Sequence, residues 1–130
     1  MTTTELTEQW QSILQDKQNL LDSASEVLTA SEYVLNQGYR QPQRLRELVE
    51  SGDLETVYAE DGYQQRLQTR MAQVTDEVTL QQQLRLFRHR EMVRIIWRDL
   101  SGWADLAETV RELTALADSC VEQALNKLYQ

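Results

Sequence analysis

The chain has 130 residues, 41% of them hydrophobic and 26% charged, enough for one domain with a sizeable core. Thirteen basic against 21 acidic residues leave a net charge of −8, which disfavours general nucleic-acid binding, because phosphate affinity needs a basic surface. One proline and four glycines argue against a many-turned all-β fold, the single cysteine excludes an internal disulfide, and no apolar run approaches the ~20 residues that cross a membrane.

Helices are predicted almost throughout. Leu6, Trp10, Ile13, Lys17, Leu20 and Leu21 recur at helical spacing and predict a first helix, which Lys17 makes peripheral by interrupting the face. Ser23 with Glu26 is a capping-box signature for a second helix. Its stripe is Ala24, Val27, Leu28, Ser31, Val34 and Leu35, and Gly38 is its stop. Pro42 suits the first turn of a third helix, where its missing N–H has no partner anyway. Leu45, Leu48 and Val49 give that helix an inner face, and Gly52 ends it. Asp61-Gly62 reads as a turn, followed by a helix through Leu67, Met71 and Val74.

A long helix is predicted near 76–100, and Ser101-Gly102 breaks it. Asp105 with Glu108 then starts a final helix near 105–128. That helix carries Leu106, Val110, Leu113, Ala117, Val121, Ala124 and Leu128 in one clean stripe. The expectation is an all-α fold, a single helical bundle of about five to six helices over residues 1–130. The opening Met1-Thr-Thr-Thr-Glu-Leu-Thr-Glu lacks the basic and apolar regions of a signal peptide, and with one cysteine a cytoplasmic protein is expected.

The long helix is unusual. At 100° per residue, Leu80, Leu84, Phe87 and Ile95 share one face, while Leu86, Val93, Ile96, Trp97 and Leu100 lie opposite. A helix apolar on two sides is sandwiched between other elements. Between residues 85 and 98 it carries Arg85, Arg88, Arg90, Arg94 and Arg98 against Glu91 alone, a local reversal of sign. Two readings follow. The arginines pack their stems along the flanks and pair with acidic neighbours such as Asp99, with Glu91, Arg94 and Arg98 in a partly buried ion-pair set. Alternatively Arg85, Arg88, Arg90 and Arg94 bind substrate phosphate or dock something acidic, for which the planar guanidinium is suited. A helix lying on a membrane is disfavoured by the two apolar faces.

Recognisable catalytic machinery is absent from the sequence. His89 is the lone histidine and Cys120 the lone cysteine, too few for a zinc site or an acid–base pair, so both read as packing residues. No glycine-rich phosphate loop and no G-x-S-x-G elbow occur. Asp53-Leu-Glu55 is an acid-x-acid pair of the kind that holds magnesium, but Asp53 follows a helix stop and reads as a cap. No catalytic and no metal-ligating residue is assigned.

The run from Leu84 to Leu100, Leu-Arg-Leu-Phe-Arg-His-Arg-Glu-Met-Val-Arg-Ile-Ile-Trp-Arg-Asp-Leu, resembles a signature of the glutamine synthetase adenylyltransferase family, with His89 in place of a middle arginine. Ala104-Asp-Leu-Ala-Glu-Thr, Leu113 to Asp118, Ser31-Glu-Tyr-Val34, Pro42, Leu45, Leu48 and Ser51-Gly52 add to the likeness, which covers about residues 24 to 128. The resemblance implies a much longer bifunctional parent with two nucleotidyltransferase domains, using magnesium and ATP. One domain attaches AMP to a tyrosine of glutamine synthetase and the other removes it by phosphorolysis, under control of glutamine and of the signal-transduction protein of nitrogen regulation. The family's Gly-Ser and Asp-x-Asp motifs match no position here, so no catalytic residue carries over and the chain itself is expected to be inactive and to hold no cofactor. It is expected to be an N-terminal fragment, the helical start of the adenylyl-removing half. The long helix would then have one apolar side on its own bundle and the other on the parent's catalytic domain. Isolated, such a face could drive homodimerisation. The alternative is a free-standing helical adaptor for another protein.

Overall fold

The computed structural model describes residues 3–14 and 17–129. Among the described residues every regular element is helical, with no strand. The elements are α1 (Thr3–Leu14), α2 (Gln18–Ala30), α3 (Glu32–Arg40), α4 (Pro42–Ser51), a 3-10 turn (Asp53–Glu55), α5 (Gly62–Met71), α6 (Glu77–Leu100) and α7 (Leu106–Leu128). The side chains of Leu6 and Leu128, which belong to two of the predicted stripes, lie outside the described residues, as does Gln130.

The seven helices exceed the expected five or six because the predicted second helix is two. Ser31 leaves helical geometry and its hydroxyl accepts from Val34 N, so it caps α3 instead of sitting in a continuous stripe. Ser23 does not start a helix. It lies inside α2, where its hydroxyl donates to Leu20 O. Gly38 is no stop either, since α3 runs through it to Arg40. Pro42 opens α4 as expected, and Gly52 ends it in the left-handed conformation at φ 81°. Asp76 and Asp105 cap α6 and α7 through Thr79 N and Glu108 N. The C-terminus of α6 closes as a Schellman turn. Gly102 has φ 75°, its N–H bonds Asp99 O at 3.1 Å, and Trp103 N bonds Arg98 O at 3.0 Å.

Helix α6 is the axis of the molecule. On one side Val93 and Trp97 join a core with Trp10, Leu14, Leu20, Val27, Leu48 and Leu54. On the other, Leu80, Phe87 and Ile95 join a second core with Tyr63, Leu67, Met71 and Leu116. Helix α1 is therefore not peripheral. Trp10 and Leu14 are buried, and the Trp10 and Trp97 rings meet at 5.3 Å. Val93 and Trp97 on one side of α6 and Phe87 and Ile95 on the other are buried by this chain's own helices, which counts against the expectation that one whole side awaits a missing domain. Of the two predicted faces, Leu84, Leu86, Ile96 and Leu100 remain partly open.

The uncovered apolar face belongs to α7. Glu112, Leu116, Ser119 and Gln123 turn inward and are buried. Leu106, Val110, Leu113, Val121 and Leu125 are exposed. At 100° per residue the centres of these two faces stand roughly 145° apart on the helix. So the final helix buries a polar-rich face and presents its apolar stripe outward.

Candidate functional site

Between its two apolar faces α6 carries a charged sector that is almost completely enclosed. Glu91 and Arg94 have no exposed surface, and Arg98 is 4% exposed. The segment after α4 closes over them. It crosses α6 from Asp53 to Tyr58, so backbone carbonyls and acidic side chains meet the guanidinium groups there.

Arg90 is gripped most densely. Its Nε donates to Glu47 at 2.8 Å and its Nη2 donates to Asp53 at 2.7 Å and Ser51 Oγ at 3.2 Å, while Nη1 pairs with Glu91. Burial works against this charge, but the carboxylates of Glu47, Glu91 and Asp53 hold Arg90 firmly protonated. Tyr58 Oη donates to Glu91 at 2.7 Å. Burial raises the Glu91 carboxyl, against the pull of Arg90 and the Tyr58 hydroxyl. Asp53 also takes Arg66 at 2.9 Å. Burial alone would raise its pKa, yet its bonds to Arg66 and Arg90 hold it down at about 2.

Arg94 is the deepest guanidinium. It donates to Asp53 O at 2.9 Å, Glu112 at 2.8 Å, Tyr63 Oη at 3.1 Å and Thr56 O. Its carbon centre lies 3.5 Å from the centroid of the Tyr58 ring, and that of Arg66 lies 3.6 Å from it. Tyr63 in turn donates to Glu112, which explains why α7 turns Glu112 inward. Burial, followed by the hydrogen bond to Glu112, raises the Tyr63 phenol. Arg98 reaches Leu54 O at 3.3 Å and Glu108 at 3.4 Å.

The six arginine and glutamate positions singled out in the sequence thus fall into two groups. Arg90, Glu91, Arg94 and Arg98 belong to the enclosed network. Arg85 and Arg88 lie outside it, exposed on the outer edge of α6. Glu91 is fully rather than partly buried, and its partners are Arg90 and Tyr58, while Arg94 pairs with Glu112. Asp99 is not a partner of the arginines and instead accepts from Thr109 at 3.0 Å. Asp53 is not a helix cap but a shared anchor for Arg66 and Arg90. His89 packs against α3, its Nδ1 2.6 Å from Tyr33 Oη. Burial, then the charges of Arg88, Arg85 and Arg44, lower its pKa and favour the neutral ring, which shares a hydrogen bond with the Tyr33 hydroxyl. Cys120 is half-buried against the second core.

Glu112, Tyr58 and Tyr63 were not singled out from the sequence. Their distances along the chain from α6 carry no spacing signal, and an excess of arginine on a two-sided apolar helix was the only hint that buried partners exist. No helix among the described residues is long and apolar enough to cross a membrane.

A closed network of this kind positions helices, and comparison with known proteins says in which setting. The profile of the glutamate-ammonia ligase adenylyltransferase family matches residues 21–130. A bifunctional glutamine synthetase adenylyltransferase/adenylyl-removing enzyme of Pseudomonas aeruginosa is 43% identical over 110 residues, 85% of this chain and 11% of that protein. The enzyme of the same description from Nitrosococcus oceani is 44% identical over 100 residues, 77% of this chain and 10% of that protein. The chain belongs to the glutamate-ammonia ligase adenylyltransferase family. It spans about a tenth of the length of the curated relatives it matches. No solved structure matches it.

Proposed function

We propose that this chain is a helical scaffold in the N-terminal part of a larger enzyme that adenylylates and deadenylylates glutamine synthetase, within the adenylyl-removing half. Membership of the family supports the enzyme setting, and the small share of each relative that is matched supports the role of a part. The observation that carries the reading is the outward stripe of α7. Val110, Val121 and Leu125 are each at least half exposed along one helix that the rest of the chain leaves uncovered. Apolar area left in water forgoes about 25 cal/mol per Å² of stabilisation, so a row of this kind marks a face that another surface covers. The proposed cover is a nucleotidyltransferase domain of the parent. Glutamine synthetase and the nitrogen signal-transduction protein are proposed partners of that parent, in the cytoplasm.

Magnesium and ATP chemistry, which the family resemblance assigns to the parent, does not fit the residues here. Among the described residues no three His, Cys, Asp or Glu groups converge on a metal position, and Asp53 is already held by two arginines. No reaction step is therefore routed through this chain, whose part is to fix the geometry of α6 and α7.

The test places aspartate at Val110 and Val121 together, in the full-length protein and in the 130-residue chain. In the full-length protein the pair is expected to lower the melting temperature and the adenylyl-removing rate. In the short chain, at concentrations where it is monomeric, both positions face water, so stability should change by no more than about 0.5 kcal/mol per site. An unaltered full-length protein would refute the docking role of α7.

A further inference from the structure

Beside the buried network a cleft of about 460 Å³ stays open to solvent. Its wall includes Glu47 of α4, Asp53, Arg66 and Arg70 of α5, and Phe87 and Arg90 of α6. Arg66 and Arg70 stand one helical turn apart and so share one face of α5. The two carboxylates of the wall are already engaged. Both oxygens of Glu47 accept from Arg90, at 2.8 and 3.1 Å. Both oxygens of Asp53 accept from Arg66, at 2.9 and 3.2 Å, and one of them also takes Arg90 at 2.7 Å. Arg70 is left over. Among the described residues it makes no ion pair, and its hydrogen-bond acceptor is Gln83 Oε1 at the long distance of 3.5 Å. A guanidinium offers five N–H donors, so most of those on Arg70 find no protein acceptor. Arg70 is also half-buried. Burial, followed by the charge of Arg90, lowers its pKa, with Glu47 and Glu91 offsetting part of that. An anion in the cleft would supply what this side chain lacks.

We propose that the cleft is a binding site for a small organic acid, whose carboxylate pairs with the Arg70 guanidinium. The two groups match as parallel donors and acceptors in one plane. Three guanidinium groups face two carboxylates in the wall, so the space takes one further negative charge. A phosphate monoester carries nearly two at neutral pH and would meet Glu47 and Asp53 across the same space. The volume falls in the range of small-ligand sites, about 300–1,000 Å³. No α7 residue lines the cleft, so the inference goes beyond the scaffold reading and does not rest on it.

The experiment titrates the isotope-labelled 130-residue chain with sodium butyrate, butyramide or inorganic phosphate at constant ionic strength. Backbone amide and arginine Nε–H signals are followed. Butyrate is expected to give saturable shifts confined to residues 66–70 of α5 and 83–90 of α6, largest at the Arg70 Nε–H. Butyramide, nearly the same size but uncharged, is expected to bind about tenfold or more weakly. Arg70→Gln should weaken butyrate by a similar factor. Arg85→Gln, which removes an exposed charge elsewhere on α6, should leave its affinity unchanged. The butyramide comparison uses the wild-type chain, so it decides the question even if Arg70→Gln unfolds. The proposal is overturned if the butyrate shifts scatter or fail to saturate, if butyramide binds equally well, or if the two variants weaken butyrate alike. Phosphate binding tighter than butyrate would overturn the carboxylate assignment.

Discussion

The indole of Trp10 occupies the space that a side chain on Gly38 would need. A Cβ added at Gly38 would stand 2.0 Å from Trp10 Nε1 and 2.3 Å from Cε2. Trp10 is 1% exposed and its Nε1 donates to Leu35 O at 3.3 Å, so the ring has nowhere to retreat. In an open helix, alanine would stabilise over glycine by about 1 kcal/mol. Here overpacking should reverse that sign. Gly38→Ala is expected to cost about 1–3 kcal/mol, read as a fall in the urea midpoint. A stabilised variant would mean that α1 and α3 can separate freely.

Arg94→Ala should be the most damaging single arginine change. It strands Glu112 and Tyr63 in the interior and removes two bonds to backbone carbonyls. Losing one partner of a buried pair costs about 3–5 kcal/mol, whereas an exposed side chain such as Arg85 should cost less than about 0.5 kcal/mol. Thermal melts of R94A and R85A side by side check this, and equal melting temperatures would contradict the enclosed network.

Asp53 gives the fold an acid-sensitive joint. Its carboxyl titrates at about 2 in the folded chain, below the ordinary value of 3.8. A group with a depressed folded pKa adds stability above its unfolded pKa and loses that contribution as pH falls through the folded one. The contribution of Asp53 should therefore be complete above about pH 4 and vanish toward pH 2. Asp53→Asn should be less stable than wild type at pH 6, and the gap should close in acid. Urea midpoints between pH 2 and pH 6 measure it, and a gap that holds constant would remove Asp53 from the network.

The 130-residue chain on its own should self-associate through α7. Exposed Leu106, Val110, Val121 and Leu125 offer the same stripe on every copy, and a two-fold pairing would cover it. Sedimentation velocity should show a concentration-dependent dimer that V110D/V121D dissolves. A monomer at all concentrations would contradict the pairing.

The isolated chain should neither attach AMP to glutamine synthetase nor remove it. Release of AMP or ADP from adenylylated glutamine synthetase, followed by chromatography, checks this, and any turnover by the pure chain would refute it.

The helix ends that a single residue sets were readable in advance. Gly52, Pro42 and Asp105 each act where the sequence places them. Ser23 and Ser31 show the limit. Each is a serine near helical residues, but only Ser31 caps, because Ser23 has a carbonyl at Leu20 and the Trp97 indole to bond, and the latter is 74 residues away. The two-sided character of α6 was legible as a sandwich, but periodicity cannot say which polypeptide forms each layer. The same limit hid the orientation of α7. Its stripe is the stronger apolar pattern, yet Arg94 and Tyr63 need Glu112, and satisfying a buried guanidinium outweighs turning the stripe inward.

Because α6 completes both cores, the order of synthesis has a consequence. Helices α1 to α4 leave the ribosome with Trp10, Leu20 and Leu48 still lacking the Trp97 layer that closes over them. The first half of the polypeptide must stay loosely collapsed until that tryptophan emerges. A chaperone holding the nascent chain would meet its longest-lived sticky surface there, and a pause in translation before residue 97 would lengthen the exposure.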